Sequence, residues 1–568
     1  MRNSINVTRA FSLFLGLTVA SSAIGAEISG NVSSVSGEEL AGVMVRFTDP
    51  VSGVSESVFT QPDGSYSIST RLSGLLQVRL RLPYYRDRTT TLPEVEADSR
   101  HELSFKMEAM AGEQEISDSL PAAYHFGNLP YEEGDHALFN RYQFQRDCLT
   151  CHQMGNPLTR VARTADGWVD TIARMHAYLG NFDAELRDRR SVILAKGFDG
   201  KPLKVRPEFP VDSSLFTTKI TEFRMERGIV PHDAIVHPTT GLIFTIDQGA
   251  DHMAVTDPET GATKYISQSK GGTEYYEFGS VAGEIAVFNG RNGPHSLALH
   301  QNGKYYVTNT STNSIGVFNP KTMEWEPLHF IGHGAVYPHT IRVDSQGIVW
   351  FTLAGSEQVG KLDPTTGKTQ VVNLPRVKPG GISGGTTPYG IDIDPIHGDV
   401  WYTRLFGDRI GRIDPETLEI TEYASPVKGP RRMRFDRAGV LWVTGYSEGT
   451  LARIETDGYK TKVFYMPEYV PNHRPAPYAL GVHPDTQDIW INENMTDRIY
   501  RFIPDEERFV AYPIPLSGTY TRDTDFMADG SACMSNNPVP ASALEGGVLQ
   551  IICIDVDGNK KTDSPSET

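Results

Sequence analysis

Cys148-Leu149-Thr150-Cys151-His152 is the most chemically pointed stretch of this 568-residue chain. Two thiols one helical turn apart can both add to the vinyl groups of a haem, and the next histidine then lies under the iron. A zinc site would need two further ligands, and the only other cysteines, Cys533 and Cys553, stand far downstream. A thioredoxin-like pair would need a βαβ frame, and none surrounds it. The spacing therefore predicts one covalent haem c on Cys148, Cys151 and His152. Met154 is too close to reach the other face of the ring. Trp168, Ile172 and Met175 recur at helical spacing, which makes Met175 the candidate sixth iron ligand. His176 competes with it, and plain core packing is the bland role for Met175.

A second set of polar residues recurs past residue 210. Pro231-His232, Pro294-His295, Pro338-His339, Pro388-Tyr389, Pro430-Arg431 and Pro477-Tyr478 each open an apolar strand. A turn and an aromatic strand follow, as in Val349-Trp350-Phe351-Thr352. Four short strands per roughly 40–50 residues mark a propeller blade. A degenerate seventh unit begins near Arg522, and the orphan strand Thr218–Phe223 can close the ring and remove its open edges. The residue after each starting proline tends to face the central channel. His232, His295, His339, Tyr389, Arg431 and Tyr478, with Arg522 as a possible seventh, would converge there as a polar site. Satisfying neighbouring backbone groups is their alternative role. Trp350, Trp401, Trp442 and Trp490 share one strand position and read as core between blades.

The fold class that positions these residues is mainly β. We expect a seven-bladed β-propeller over 215–560, a β-sandwich over 27–110 and a small all-α cytochrome c domain over 125–200. Asp63-Gly64 reads as a hairpin turn before Ser65–Ile68. Glu113, Glu115 and Asp118 mark an acidic linker. Residues 1–26 read as a cleaved secretory signal: Arg2 and Arg9, a short apolar core, then small residues. No later run is long and apolar enough to span a membrane. A periplasmic or secreted location follows, and there Cys533 and Cys553 are expected to form a disulfide. The formal net charge of −17 argues against binding nucleic acid or an anionic membrane surface.

Three resemblances attach to these motifs. Ile28-Ser29-Gly30-Asn31-Val32, with Gln61-Pro62-Asp63-Gly64-Ser65-Tyr66, resembles the carboxypeptidase regulatory-like family, which implies an Ig/transthyretin-like sandwich. The segment from Cys148 to about Ala195 resembles the compact cytochrome c domains of the quinohaemoprotein amine dehydrogenase type. There a ligand stands seven positions after a tryptophan, which here is Met175 after Trp168. The repeated Pro-His, Trp-Phe-Thr and Ile-Gly-Arg-Ile-Asp-Pro phrases resemble the virginiamycin B lyase (streptogramin lyase) family. That resemblance implies a His–Glu pair within one blade and a bound Mg²⁺. Here the only carboxylate at the matching place is Glu493, in the blade that starts with Tyr478.

Three functions are open at this point. The first is one-electron transfer by a mono-haem cytochrome fused to a propeller that holds a redox partner protein or a small-molecule substrate. The second is a C–O lyase working by β-elimination through His295, His339 and Glu493, with Mg²⁺ under that alternative only. The third is a binding or scaffold module.

Overall fold

Pro231, Pro294, Pro338, Pro388, Pro430 and Pro477 each take the first position of a strand, where the missing N–H breaks no ladder. The structure is a computed structural model describing residues 25–131, 141–178, 180–268, 292–378, 385–538, 544 and 549–560. Residues 1–24 of the expected export signal, and 132–140 of the expected haem segment, lie outside the described residues. From each proline four antiparallel strands follow in chain order, giving six four-stranded sheets. A seventh unit joins Thr521–Phe526, Ala532–Asn536 and Gln550–Asp555 to Lys219–Arg224, the orphan strand. The first strands of the seven units neighbour one another in a closed cycle, so the chain forms a β-propeller.

Two devices aim side chains at the axis. In all seven units the register shifts just after the first residue of the inner strand. This bulge drops the residue after each proline out of the ladder and redirects it. The second device is the threonine of the aromatic strand. Thr308, Thr352 and Thr403 donate their hydroxyls to the carbonyls of His339, Tyr389 and Arg431 in the next blade, at 2.7, 2.8 and 2.6 Å. Ser535 does the same for His232 across the closure. The four blade tryptophans are buried, as expected. Cys533 and Cys553 face each other on paired strands and are joined in a disulfide.

The N-terminal segment makes two sheets. Ala26–Ser34 pairs with Ser65–Thr70 and with two short strands, Arg100–Glu102 and Phe105–Met107. Val54–Phe59, Met44–Thr48, Gly74–Arg81 and Arg88–Val95 form the other. Their apolar faces share a core that includes Ile28, Val45, Phe47, Tyr66 and Val78. The reading of Asp63-Gly64 as a hairpin turn needs correction. Val54–Phe59 is already held on both edges, by Met44–Thr48 and by Lys219–Arg224, so the turn carries the chain across to the other sheet. Pairing with Lys219–Arg224 also makes the second sheet and the seventh blade one eight-stranded sheet.

Five helices lie between the sandwich and the propeller. The acidic stretch expected as linker forms α1 (Glu113–Ser119), with Glu115 paired to Arg86 at 2.6 Å. Next come α2 (Ala122–Gly127), α3 (Arg141–Cys148), α4 (Ala165–Tyr178) and α5 (Ala184–Gly197). Asp183 caps α5 by accepting from the Leu186 N–H. Trp168, Ile172, Leu186 and Leu194 share one apolar cluster with Tyr446, Tyr478, Met495 and Tyr520, so the helices sit on the propeller's mouth. Among the described residues no helix is long and apolar enough to cross a membrane.

Candidate functional site

The residues that follow the prolines do converge. His232 packs tilted against His295 with ring centres 3.7 Å apart, His295 against His339 at 4.0 Å, and His339 against Tyr389 at 3.9 Å. Tyr389 Oη donates to Tyr478 Oη at 3.0 Å. Arg431 Nη2 donates to Tyr389 Oη at 2.7 Å, and Arg522 Nη1 to Tyr478 Oη at 2.6 Å. His232 Nε2 lies 3.5 Å from Tyr478 Oη. All seven side chains are buried.

The layer beneath the ring is ionic. His232 Nδ1 is 2.9 Å from Asp233, and Arg432 binds both oxygens of that carboxylate at 2.8 and 3.0 Å. Arg432 also reaches Asp523 at 3.1 Å. The carboxylate fixes the proton on Nδ1 and leaves Nε2 to accept. Sequence reasoning missed Asp233 and Arg432, although each directly follows a residue it had singled out. A paired carboxylate beside a histidine was the available signal.

Burial holds the imidazoles neutral. Desolvation, reinforced by Arg522, pushes His232 down to about 4 against the pull of Asp233. His295 and His339 are also depressed, first by burial and then by neighbouring imidazoles and guanidiniums. The phenols diverge. Burial lifts Tyr389 well above its ordinary value. Burial acts the same way on Tyr478, but Arg522, Arg431 and Arg432 together overcome it and lower its pKa. A phenol poised low beside neutral imidazoles is an acid–base arrangement.

The segment after α3 covers this ring. Arg431 Nη2 donates to the Thr150 carbonyl at 3.1 Å, Tyr520 Oη to the Leu149 carbonyl at 2.8 Å, and Tyr446 Oη to that same carbonyl. Gln145 and Gln153 bind propeller carbonyls on either side, at Tyr446 and Thr519, each at 2.8 Å. The thiols of Cys148 and Cys151 are free, and Cys151 is solvent-accessible. Enough protein surrounds Cys151 that desolvation still raises its pKa, opposed by Arg431 and Arg522. Exposed Cys151 thus stands within electrostatic reach of the ring's Arg431 and Arg522, beside half-buried His152 and Tyr337.

The remaining predicted residues are less closely joined. Glu493 is not brought against His295 or His339. Its oxygens accept from the N–H groups of Ala476, Met495 and Thr496 and from the Thr496 hydroxyl, which ties a blade loop. Met175 is half-buried on α4. His176 is buried with Nε2 3.2 Å from Arg190 Nη1, so that nitrogen is engaged. Among the described residues no three His, Cys, Asp or Glu are placed to hold a metal ion. With Asp233 bound to Arg432 and Glu493 saturated, the donor set around the ring does not fit Mg²⁺. His152 Nδ1 lies 2.7 Å from the Gln153 carbonyl, which leaves Nε2 as the lone-pair nitrogen. The Trp168 indole N–H nearby is buried and has no protein partner.

Residues 280–468 match the virginiamycin B lyase family. A probable peptidyl-alpha-hydroxyglycine alpha-amidating lyase of Caenorhabditis elegans is 31% identical over 135 residues, which is 22% of this chain. That match spans 36% of the curated relative. A streptogramin B lyase structure is 20% identical, with a TM-score of 0.49, over 61% of this chain and 99% of that one. A selenomethionine-substituted virginiamycin B lyase from Staphylococcus aureus is 18% identical over 59% of this chain and 99% of that one, with a TM-score of 0.47. The family likeness therefore lies within the propeller, over residues 280–468.

Proposed function

We propose that the propeller is a lyase that carries out an elimination at the His/Tyr/Arg ring. The observation that carries this reading is Tyr478 Oη, held by Arg522 and Tyr389 and backed by the His232–Asp233 pair. Tyr478 oxygen takes a proton from substrate, either from the carbon next to the one that bears the leaving oxygen or, in an α-hydroxyglycine, from the carbinol hydroxyl whose carbon bears the leaving nitrogen. The released electron pair forms the new double bond, and the bond to the leaving oxygen or nitrogen breaks. Guanidinium groups at Arg431 and Arg522 offset the charge that develops. No electron is gained or lost overall. Substrate reaches the ring past Cys151, the exposed residue of the cover. The similarity to two lyase groups supports the reaction class. The assignment moves the base from the expected His295, His339 and Glu493 to Tyr478 and His232.

The test uses virginiamycin B and an α-hydroxyglycine-extended peptide, with products followed by liquid chromatography and mass spectrometry. Turnover should fall about 100-fold or more in Tyr478→Phe, the usual weight of a positioned base. Absence of product from both probes, or full activity in Tyr478→Phe, would set the lyase reading aside.

A second reading, electron transfer, is favoured by the orientation of His152 and by the free thiols of Cys148 and Cys151. These three residues would hold a covalent haem c after export, with Met175 as the proposed sixth ligand. A bound haem would supply one-electron chemistry at the same mouth, toward a partner protein or a small molecule. Pyridine haemochrome analysis of protein made with haem-attachment machinery should then give one haem per chain, lost in Cys148→Ser. No covalent haem from a competent host would end this reading.

A further inference from the structure

Buried arginines among the described residues are matched by carboxylates, with three exceptions, Arg431, Arg498 and Arg522. Arg432 has Asp233 and Asp523. Arg404 has Glu357 and Glu422. Arg190 has Asp147. Arg431 and Arg522, at the channel mouth, form no ion pair among the described residues. Arg431 is 0% exposed, and Arg522 is 6% exposed. Arg431 spends Nη2 on the Thr150 carbonyl and the Tyr389 hydroxyl, while its Nε and Nη1 have no partner. Arg522 spends Nη1 on Tyr478, and its Nε has no partner.

Rings shield these cations without neutralising them. Arg431 lies over Tyr478, Tyr446 and Tyr389 at 3.9, 4.1 and 4.7 Å. Arg522 lies over Tyr520 and Tyr478 at 4.4 and 4.8 Å. Cation–π contacts recover only part of the cost of desolvating a guanidinium. Even an ionised Tyr478 would leave two cations against one anion. Both guanidiniums also act electrostatically on Cys151, so they lie close to that exposed thiol.

We propose that Arg431 and Arg522 form a receptor for a carboxylate, which binds under the 149–151 cover segment through the guanidinium N–H groups that have no protein partner. Planar bidentate recognition is what a guanidinium offers a carboxylate. The binding site stands on its own geometry. As a statement of substrate class, a carboxylate-bearing substrate held beside Tyr478, it rests on the lyase reading. The carboxylate has two possible sources, a free ligand or a propionate of a haem bound at Cys148 and Cys151.

The experiment titrates acetate and formate, with chloride as control at equal ionic strength, into the full mature chain by calorimetry and thermal shift. Saturable binding to wild type, weakened at least about tenfold in Arg522→Gln and partly restored in Arg522→Lys, identifies a free carboxylate. If haem is attached and acetate does not bind, Arg522→Gln should instead shift the haem midpoint potential and its pH dependence, which identifies the propionate. Circular dichroism of each variant separates loss of binding from loss of fold. No carboxylate binding together with no shift on substitution overturns the proposal. Because no turnover is measured, failure of the elimination assay leaves this result independent.

Discussion

Single residues in this protein are defined by what the fold does to their protons. His125, His176 and His232 are pushed down to about 4, mainly by burial, and His295 and His339 lie well below 6.5. Such groups favour the native state fully above the unfolded imidazole value of 6.5, and that stability is lost as pH falls toward 4. Carboxyls raised by burial act the other way. Glu493 is raised to about 7 and Asp525 to about 6, with Asp497 and Asp555 also raised, and their stabilisation fades as pH rises. These five lowered imidazoles outnumber these carboxyls, so unfolding takes up protons near pH 5.5. Stability should therefore rise with pH there. Urea titrations at pH 5 and 6 measure it, and a flat or falling profile contradicts the assignment. The ring residues were legible because the residue after each proline recurs. Which of them would carry the low pKa was not legible, since that depends on Arg522 of the degenerate unit meeting Tyr478 of the neighbouring blade.

The elements work as positioning devices, and their repeat is what made them readable. Prolines at strand starts and aromatic second strands appear in the sequence as strand signals. The threonine after each aromatic pair has a meaning that emerges only in three dimensions, because its partner is a carbonyl in the next blade. Thr352→Val should leave the buried Tyr389 carbonyl without its donor and cost about 1–3 kcal/mol. The substitution keeps the shape, so the loss should appear in equilibrium unfolding while far-ultraviolet circular dichroism stays unchanged. An unaltered midpoint would mean that the clamp carries no weight. The cover over the ring was less legible. C-x-x-C-H announced its own chemistry. Its docking on Tyr446 and Tyr520 depends on tyrosines of two separate blades that nothing in the local sequence marks.

Over the whole molecule the two β regions are one sheet at their junction. Lys219–Arg224 pairs with Gln550–Asp555 on one edge and with Val54–Phe59 on the other. Sequence separated these regions cleanly, because each has its own turn and strand pattern. Nothing in the orphan strand signalled that both its edges would be used. Thr221 pairs with Cys553 on one side and Glu56 on the other. A proline there removes a ladder donor from a central strand, at a cost of about 3 kcal/mol or more. Thr221→Pro should lower the melting of propeller and sandwich together, as a single calorimetric transition. Two separated transitions would show that the junction does not couple them.

The central claim is that Tyr478 is set apart from the other tyrosines as a proton-transfer group at the channel mouth. An ultraviolet difference titration at phenolate wavelengths, wild type against Tyr478→Phe, tests it without a substrate. The account predicts one phenol titrating below the ordinary value of 10.0 in wild type and absent from the variant. Identical curves, with every tyrosine titrating at or above that value, would contradict it.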